Sequence, residues 1–164
     1  MKIYDVVILT EKRYYNPIKI DNYIQNVLDE DNYILKAFEN IGLKVLRLSW
    51  DDKNFNWSST KYILFRTTWD YFERFSEFSS WLNKVSKQTK LLNSEAIIRW
   101  NIDKHYLLDL QKNGINICES YFIEKGETKT LQTLSNQHKL TDFVLKPCVS
   151  GSARHTYKIN KQNI

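Results

Sequence analysis

Short β-branched apolar runs alternate with segments of helical period over residues 1–93, and this alternation constrains the fold more than any other feature. IYDVVIL (3–9) reads as a buried strand, followed by strands at LKVLRL (43–48), KYILFR (61–66) and TKLL (89–92). Between the first two, residues 21–41 carry Ile34, Leu35, Phe38 and Ile41 at helical spacing, with Gly42 as the stop. After the third strand, Phe72, Phe75, Phe78, Leu82 and Val85 recur every three or four residues, with Glu73, Arg74, Glu77 and Lys84 between them. Strand and helix in alternation imply a parallel, Rossmann-like sheet, α/β in class. Residues 11–20, with Pro17 and paired tyrosines, read as a loop. The first strand leads into LTEKRYY rather than a GxGxxG turn, which argues against the usual dinucleotide site.

The rhythm changes after residue 93. A brief helix at 94–99 precedes a second at 102–112, which ends at Asn113-Gly114. A strand is expected at 115–123, a loop at Gly126, a helix near 129–137 and a strand at 142–146. After the small-residue loop Ser150-Gly151-Ser152-Ala153, residues 156–159 read as a return strand. The chain thus divides into a first domain at 1–93 and a second, α+β segment at 94–164.

Composition supports a globular protein: 42% hydrophobic, 26% charged, with 5 Trp, 10 Tyr and 8 Phe for a core. The longest apolar runs are too short to cross a bilayer. Asp5 breaks the N-terminal apolar run and no small-residue cleavage site follows, so a cytoplasmic protein is expected. Cys118 and Cys148 are too far apart for a CxxC pair and lie in or beside apolar strands, where buried free thiols are expected. His105, His138 and His155 show no metal-ligand spacing, and no residue is assigned to a metal. A net charge of +5 fits an anionic partner, but the basic residues form no block.

Two lysines give the second segment its interest. WNIDKHYLLDLQKNGI (100–115) puts Lys104 on the first turn of a helix, and FVLKP (143–147) delivers Lys146 just before the Ser-Gly-Ser loop. Alone, Lys146 marks a strand's exit into solvent. With Lys104, FRTTWDYFERFSEFSSWL (65–82), LLN (91–93) and WNIDKHYLLDL (100–110) in this order, the chain resembles the ATP-grasp family of ligases. The resemblance is strongest to the branch of glutathione-synthetase-like ligases and the cyclo-ligase of cycloserine biosynthesis.

The resemblance implies a pre-ATP-grasp domain followed by the first, incomplete part of an ATP-grasp domain. It implies an ATP-dependent carboxylate–amine ligase that works through an acyl phosphate and needs Mg²⁺. Lys104 and Lys146 would be point charges on the nucleotide phosphates. Ser150, Gly151, Ser152 and Ala153 would lay backbone N–H groups over the β/γ-phosphates, with Gly151 supplying a left-handed turn. Arg66 would pair with a substrate carboxylate, in a pocket shared with Thr67, Trp69, Asp70 and Tyr71. Trp69-Asp70 also reads simply as a helix start, with Asp70 as N-cap. In that family the Mg²⁺ carboxylates and the adenine hinge lie downstream of the K-P strand. Only 18 residues follow Lys146 here, and KINKQNI holds no side-chain carboxylate. The expectation is a ligase front half, inactive alone, whose second segment exposes apolar surface and self-associates. The competing reading is a non-catalytic module that binds an anion or single-stranded nucleic acid, for which an interleaved basic–aromatic stripe is missing.

Overall fold

The computed structural model describes residues 2–162 and 164. The chain divides into two compact units, 1–98 and 99–164. Four parallel strands order the first unit: β1 (Tyr4–Thr10), β2 (Val45–Ser49), β3 (Thr60–Thr67) and β4 (Lys90–Leu92), in the sheet order β2-β1-β3-β4. An α/β fold with a parallel sheet is therefore what the alternation encodes. β1 is central, with Val7, Ile8 and Leu9 fully buried. Val7 pairs with Leu46 on one side and Ile63 on the other. Burial on both faces is why β1 reads as a nearly continuous apolar run rather than an alternating one.

Residues 12–15 depart from the expected loop: Lys12–Tyr15 form a single helical turn, α1. Its Tyr14 and Tyr15 N–H groups donate to the Glu11 carbonyl, and Tyr14 is buried against the edge of Trp69. Helix α2 (Asn22–Asn40) follows. Asp21 caps it, accepting from the Ile24 N–H at 2.8 Å, and the Gly42 N–H closes its end on the Glu39 carbonyl at 2.9 Å. Gly42 has φ +82°, the left-handed conformation for which glycine is the ready residue.

Asp31 on α2 is fully buried, yet charged neighbours surround it. Arg47 of β2 donates to it at 2.7 Å, and the Arg66 Nε lies 3.5 Å from its other oxygen. Arg47 also reaches the Tyr14 carbonyl at 2.9 Å, so one guanidinium ties α2, β2 and α1 together. Removing one partner of such a pair costs about 3–5 kcal/mol, because a buried charge is left uncompensated.

Helix α3 (Phe75–Val85) starts later than the aromatic stripe implies. Phe72 lies in the turn before it and Phe75 is exposed, leaving Phe78, Leu82 and Val85 as its buried face. Asp70 is not its N-cap. Its carboxylate instead accepts from Trp50 Nε1 at 2.7 Å and Arg74 Nη1 at 2.9 Å, while its carbonyl takes the Glu73 and Arg74 N–H groups. An aromatic cluster fills the space beneath. Trp50 meets Phe78 edge-on at 5.2 Å and Trp81 at 5.7 Å, and Trp81 meets Trp57 at 5.4 Å.

Helix α4 (Glu95–Ile102) runs longer than the expected 94–99. The second unit then holds α5 (Tyr106–Lys112), α6 (Leu131–His138) and an antiparallel pair, β5 (Phe143–Leu145) with β6 (Tyr157–Ile159). The helix expected at 102–112 is broken at Asp103–His105, because the Asp103 carboxylate accepts the His105 N–H at 3.0 Å and competes with the helical ladder. Residues 115–124 form no strand; β5 and β6 pair with each other and offer that segment no ladder. Accordingly Cys118 is exposed and Cys148 half-buried, contrary to the buried thiols expected. Nor is β5 a buried strand, since Val144 at its centre is 57% exposed. No helix among the described residues is long and apolar enough to cross a membrane.

Candidate functional site

The lysine pair lies within the second unit. Lys104 sits in the short turn between α4 and α5 rather than on a helix, and this turn is anchored to the loop that follows β5. The Lys104 N–H donates to the Cys148 carbonyl at 3.0 Å. Its ammonium donates to the Cys148 carbonyl at 3.2 Å and to the Ser150 carbonyl at 3.1 Å. Burial, and after it the positive charge of Lys146, hold the Lys104 ammonium below the usual lysine range. Lys146 is exposed immediately after β5, as a strand-exit lysine would be.

The loop beyond it turns sharply. Left-handed conformations fall on Ser152 (φ +49°), Ala153 (φ +56°) and His155 (φ +53°), non-glycine residues that cost roughly 1 kcal/mol each in this region. The left-handed turn expected at Gly151 falls on its neighbours instead. The Ser150 hydroxyl closes the loop on the Arg154 carbonyl at 3.0 Å, and the Arg154 N–H returns to the Gly151 carbonyl at 3.0 Å.

On the other side of Lys104, Asp103 and His105 form a polar group. His105 Nδ1 lies 2.6 Å from Asp103 Oδ1 and its Nε2 lies 3.1 Å from Glu124 Oε1. The ring stacks on Phe122 at 4.3 Å. The Asp103 hydrogen bond is the main influence raising the His105 imidazole. Burial pushes the Cys148 thiol up, with the charges of Asp103 and Glu124 adding to it.

The five residues expected to line an acceptor pocket lie together in the first unit but point apart. Arg66 reaches Glu30 at 2.9 Å and lies beside Asp31. Thr67 is buried, sharing a hydrogen bond with Thr10 at 2.5 Å. Trp69 packs on Tyr14, Asp70 holds Trp50 and Arg74, and Tyr71 packs on Phe72 and Phe78. A cleft of about 580 Å³ opens nearby, at the carboxyl ends of β1 and β2, with Lys12, Asp51, Arg74 and Glu77 on its walls. Open α/β sheets bind ligands at such strand ends.

Arg74 is the residue that sequence reasoning missed. In the sequence it stands only as one of the charged residues between the apolar positions of the 72–85 stripe, whereas its guanidinium bridges Asp51 (2.8 Å), Asp70 (2.9 Å) and Glu77 (2.7 Å) and lies 4.6 Å above the Trp50 ring. Burial works against its charge, but Glu77, Asp51 and Asp70 outweigh it and raise its pKa. Only the four-residue spacing from Asp70 hinted at this role.

The first unit is a parallel four-stranded α/β fold, and the comparisons give its family. The sequence model of the D-cycloserine synthetase DcsG N-terminal domain matches residues 6–93, and the chain belongs to that family. The cycloserine biosynthesis protein DcsG of Streptomyces lavendulae is 28% identical over 117 residues, which cover 70% of this chain and 39% of that protein. The crystal structure of D-cycloserine synthetase DcsG superposes with a TM-score of 0.79 at 21% identity, covering 96% of this chain and 50% of that one. The chain thus spans two-fifths to one-half of the relatives it matches.

Proposed function

We propose that the chain is the front part of an ATP-dependent carboxylate–amine ligase of ATP-grasp type, similar to D-cycloserine synthetase, with a Rossmann-like first domain. The observation that carries this reading is the anchoring of Lys104 on the carbonyls of Cys148 and Ser150, where burial, and after it the charge of Lys146, lower its pKa.

ATP supplies a γ-phosphoryl group to the carboxylate, and an amine then displaces phosphate from the acyl phosphate. Lys104 and Lys146 neutralise charge on the phosphates, which is most of what a protein contributes to phosphoryl transfer. Ser150, Gly151, Ser152 and Ala153 present backbone N–H groups to the same phosphates. To reach them, the Lys104 ammonium exchanges its two carbonyl partners for phosphate oxygens. The Mg²⁺ carboxylates of such ligases lie beyond the K-P strand, so no residue of this chain is assigned to Mg²⁺. Turnover belongs to the whole length of such a ligase rather than to these residues alone.

The acceptor binds at the carboxyl ends of the first-unit strands, along the segment of Arg66, Thr67, Trp69, Asp70 and Tyr71 and in the cleft beside it. Lys12 lines that cleft beside the paired charges of Arg74, Asp51 and Glu77, so both signs are present on its walls and a small zwitterion suits it better than a plain anion.

Nucleotide titration of the 164-residue chain, followed by tryptophan fluorescence, tests the reading. Lys104→Ala and Lys146→Ala should each weaken ADP binding roughly 10–100-fold, the worth of a hydrogen bond to a charged group. Lys84→Ala, an exposed lysine on α3, should leave it unchanged. Equal affinity in all four proteins would remove the nucleotide site. Binding that instead rose with oligonucleotide length and fell steeply with salt would favour a nucleic-acid module.

A further inference from the structure

We propose that Asp103, His105 and Cys148 form a binding site for a borderline divalent metal ion of the Zn²⁺ class. The carboxylate oxygen, the imidazole nitrogen and the thiol sulfur lie within 4.8 Å of one another, and all three residues are half-buried. A tetrahedral Zn²⁺ site with Zn–S near 2.3 Å and Zn–N near 2.0 Å places its donors roughly 3.3–3.6 Å apart. The set is therefore about an ångström of side-chain rotation from ligation.

The donor chemistry selects the ion. One sulfur, one imidazole and one carboxylate suit Zn²⁺ or Co²⁺, whereas Mg²⁺ and Ca²⁺ require oxygen donors throughout. Three protein ligands also leave a fourth position for water.

An independent feature is the arrangement round the ring. His105 turns Nδ1 toward Asp103 and the cluster, in a 2.6 Å hydrogen bond that a bound ion replaces with loss of the proton, while Nε2 lies 3.1 Å from Glu124 Oε1 and keeps its partner. A carboxylate on the far nitrogen is the usual support of a metal-bound histidine, fixing its tautomer and aiming its lone pair. Stacking on Phe122 fixes the ring plane as well. The ligands come from the 103–105 turn and from the loop after β5, two segments already joined by Lys104. An ion bound here staples that turn to that loop. The proposal does not depend on nucleotide binding, and its test involves none.

The reduced chain is titrated with Co²⁺ alone. A thiolate-to-cobalt charge-transfer band should appear with visible bands of tetrahedral intensity, and one equivalent of Zn²⁺ should abolish both. Cys148→Ser should lose the charge-transfer band, His105→Ala should weaken it, and Cys118→Ser should retain it. A second measurement needs no variant: Zn²⁺ should slow alkylation of Cys148 at least about tenfold, because a ligated thiolate is no longer a free nucleophile. Cys118, in the same molecule, should react at its former rate. No charge-transfer band, a band that survives Cys148→Ser, or equal protection of the two thiols would each overturn the site.

Discussion

Glu11, just after β1, is a buried carboxyl that no visible sequence signal marks. It is 3% exposed, its Oε1 pairs with Arg13 at 2.6 Å, and its Oε2 has no hydrogen-bond partner among the described residues. Burial raises its carboxyl above the ordinary value of 4.5; Arg13 opposes the rise and the Asp70 charge adds to it. A carboxyl raised on folding contributes stability that is fully present below 4.5 and lost as pH rises through the folded value. Glu11→Gln is therefore expected to match the parent near pH 4 and to unfold at a higher temperature near pH 7. Thermal melts at the two pH values check this, and a variant less stable at pH 7 would show that the Arg13 pair dominates. In the sequence Glu11 is one charge in a polar turn. Arg47, Asp31 and Arg74 were equally illegible, because each finds its partners on other elements and sequence spacing carries no record of them. The same holds for the metal cluster, whose thiol comes from far beyond its histidine in the chain.

At the scale of elements, legibility followed the number of sheet neighbours and the presence of local stops. β1 to β4 were readable to within two residues because each lies in one parallel sheet and carries a short, largely apolar run. Helix α2 was readable at both ends, because Asp21 and Gly42 act through backbone groups within three residues of themselves. By contrast, the start of α3 was misread because Asp70, a good cap by type, is drawn off by Trp50 and Arg74. The segment 115–123 has strand-like residues but no ladder to join. A local signal is decisive only where no tertiary partner outbids it. The cap of α2 makes this quantitative. Asp21→Ala should cost about 1 kcal/mol in urea unfolding, and Asp21→Asn or Asp21→Ser only a few tenths. An equal loss in all three would mean that Asp21 acts through its charge rather than as a hydrogen-bond acceptor.

For the whole molecule, the decisive asymmetry is the location of the core. Val6 to Leu9, Val27, Trp50, Trp57, Ile63, Phe78, Leu82, Val85 and Leu91 are buried in the first unit, whereas among the described residues of the second only Ile159 is a buried hydrophobic side chain. The second unit instead exposes Leu108, Ile115, Ile123, Val144 and Tyr157. Residues 99–164 alone are close to the size at which a single core is marginal, and here that core is nearly absent. Residues 1–98 produced separately should accordingly unfold in one cooperative transition, near the midpoint of the 164-residue chain. The near-ultraviolet signal of Trp50, Trp57 and Trp81, packed edge to face, should survive intact. Residues 99–164 produced separately should show no cooperative transition, because too little apolar surface leaves water to offset the chain entropy. Exposed apolar area of this kind seeks cover, so sedimentation should find the 164-residue chain associating at concentrations where 1–98 remains monomeric. If 99–164 melts cooperatively alone, or the 164-residue chain stays monomeric at high concentration, the polar bonds of the second unit suffice to fold it. The lysine loop would then stand on its own scaffold rather than on surface supplied from elsewhere.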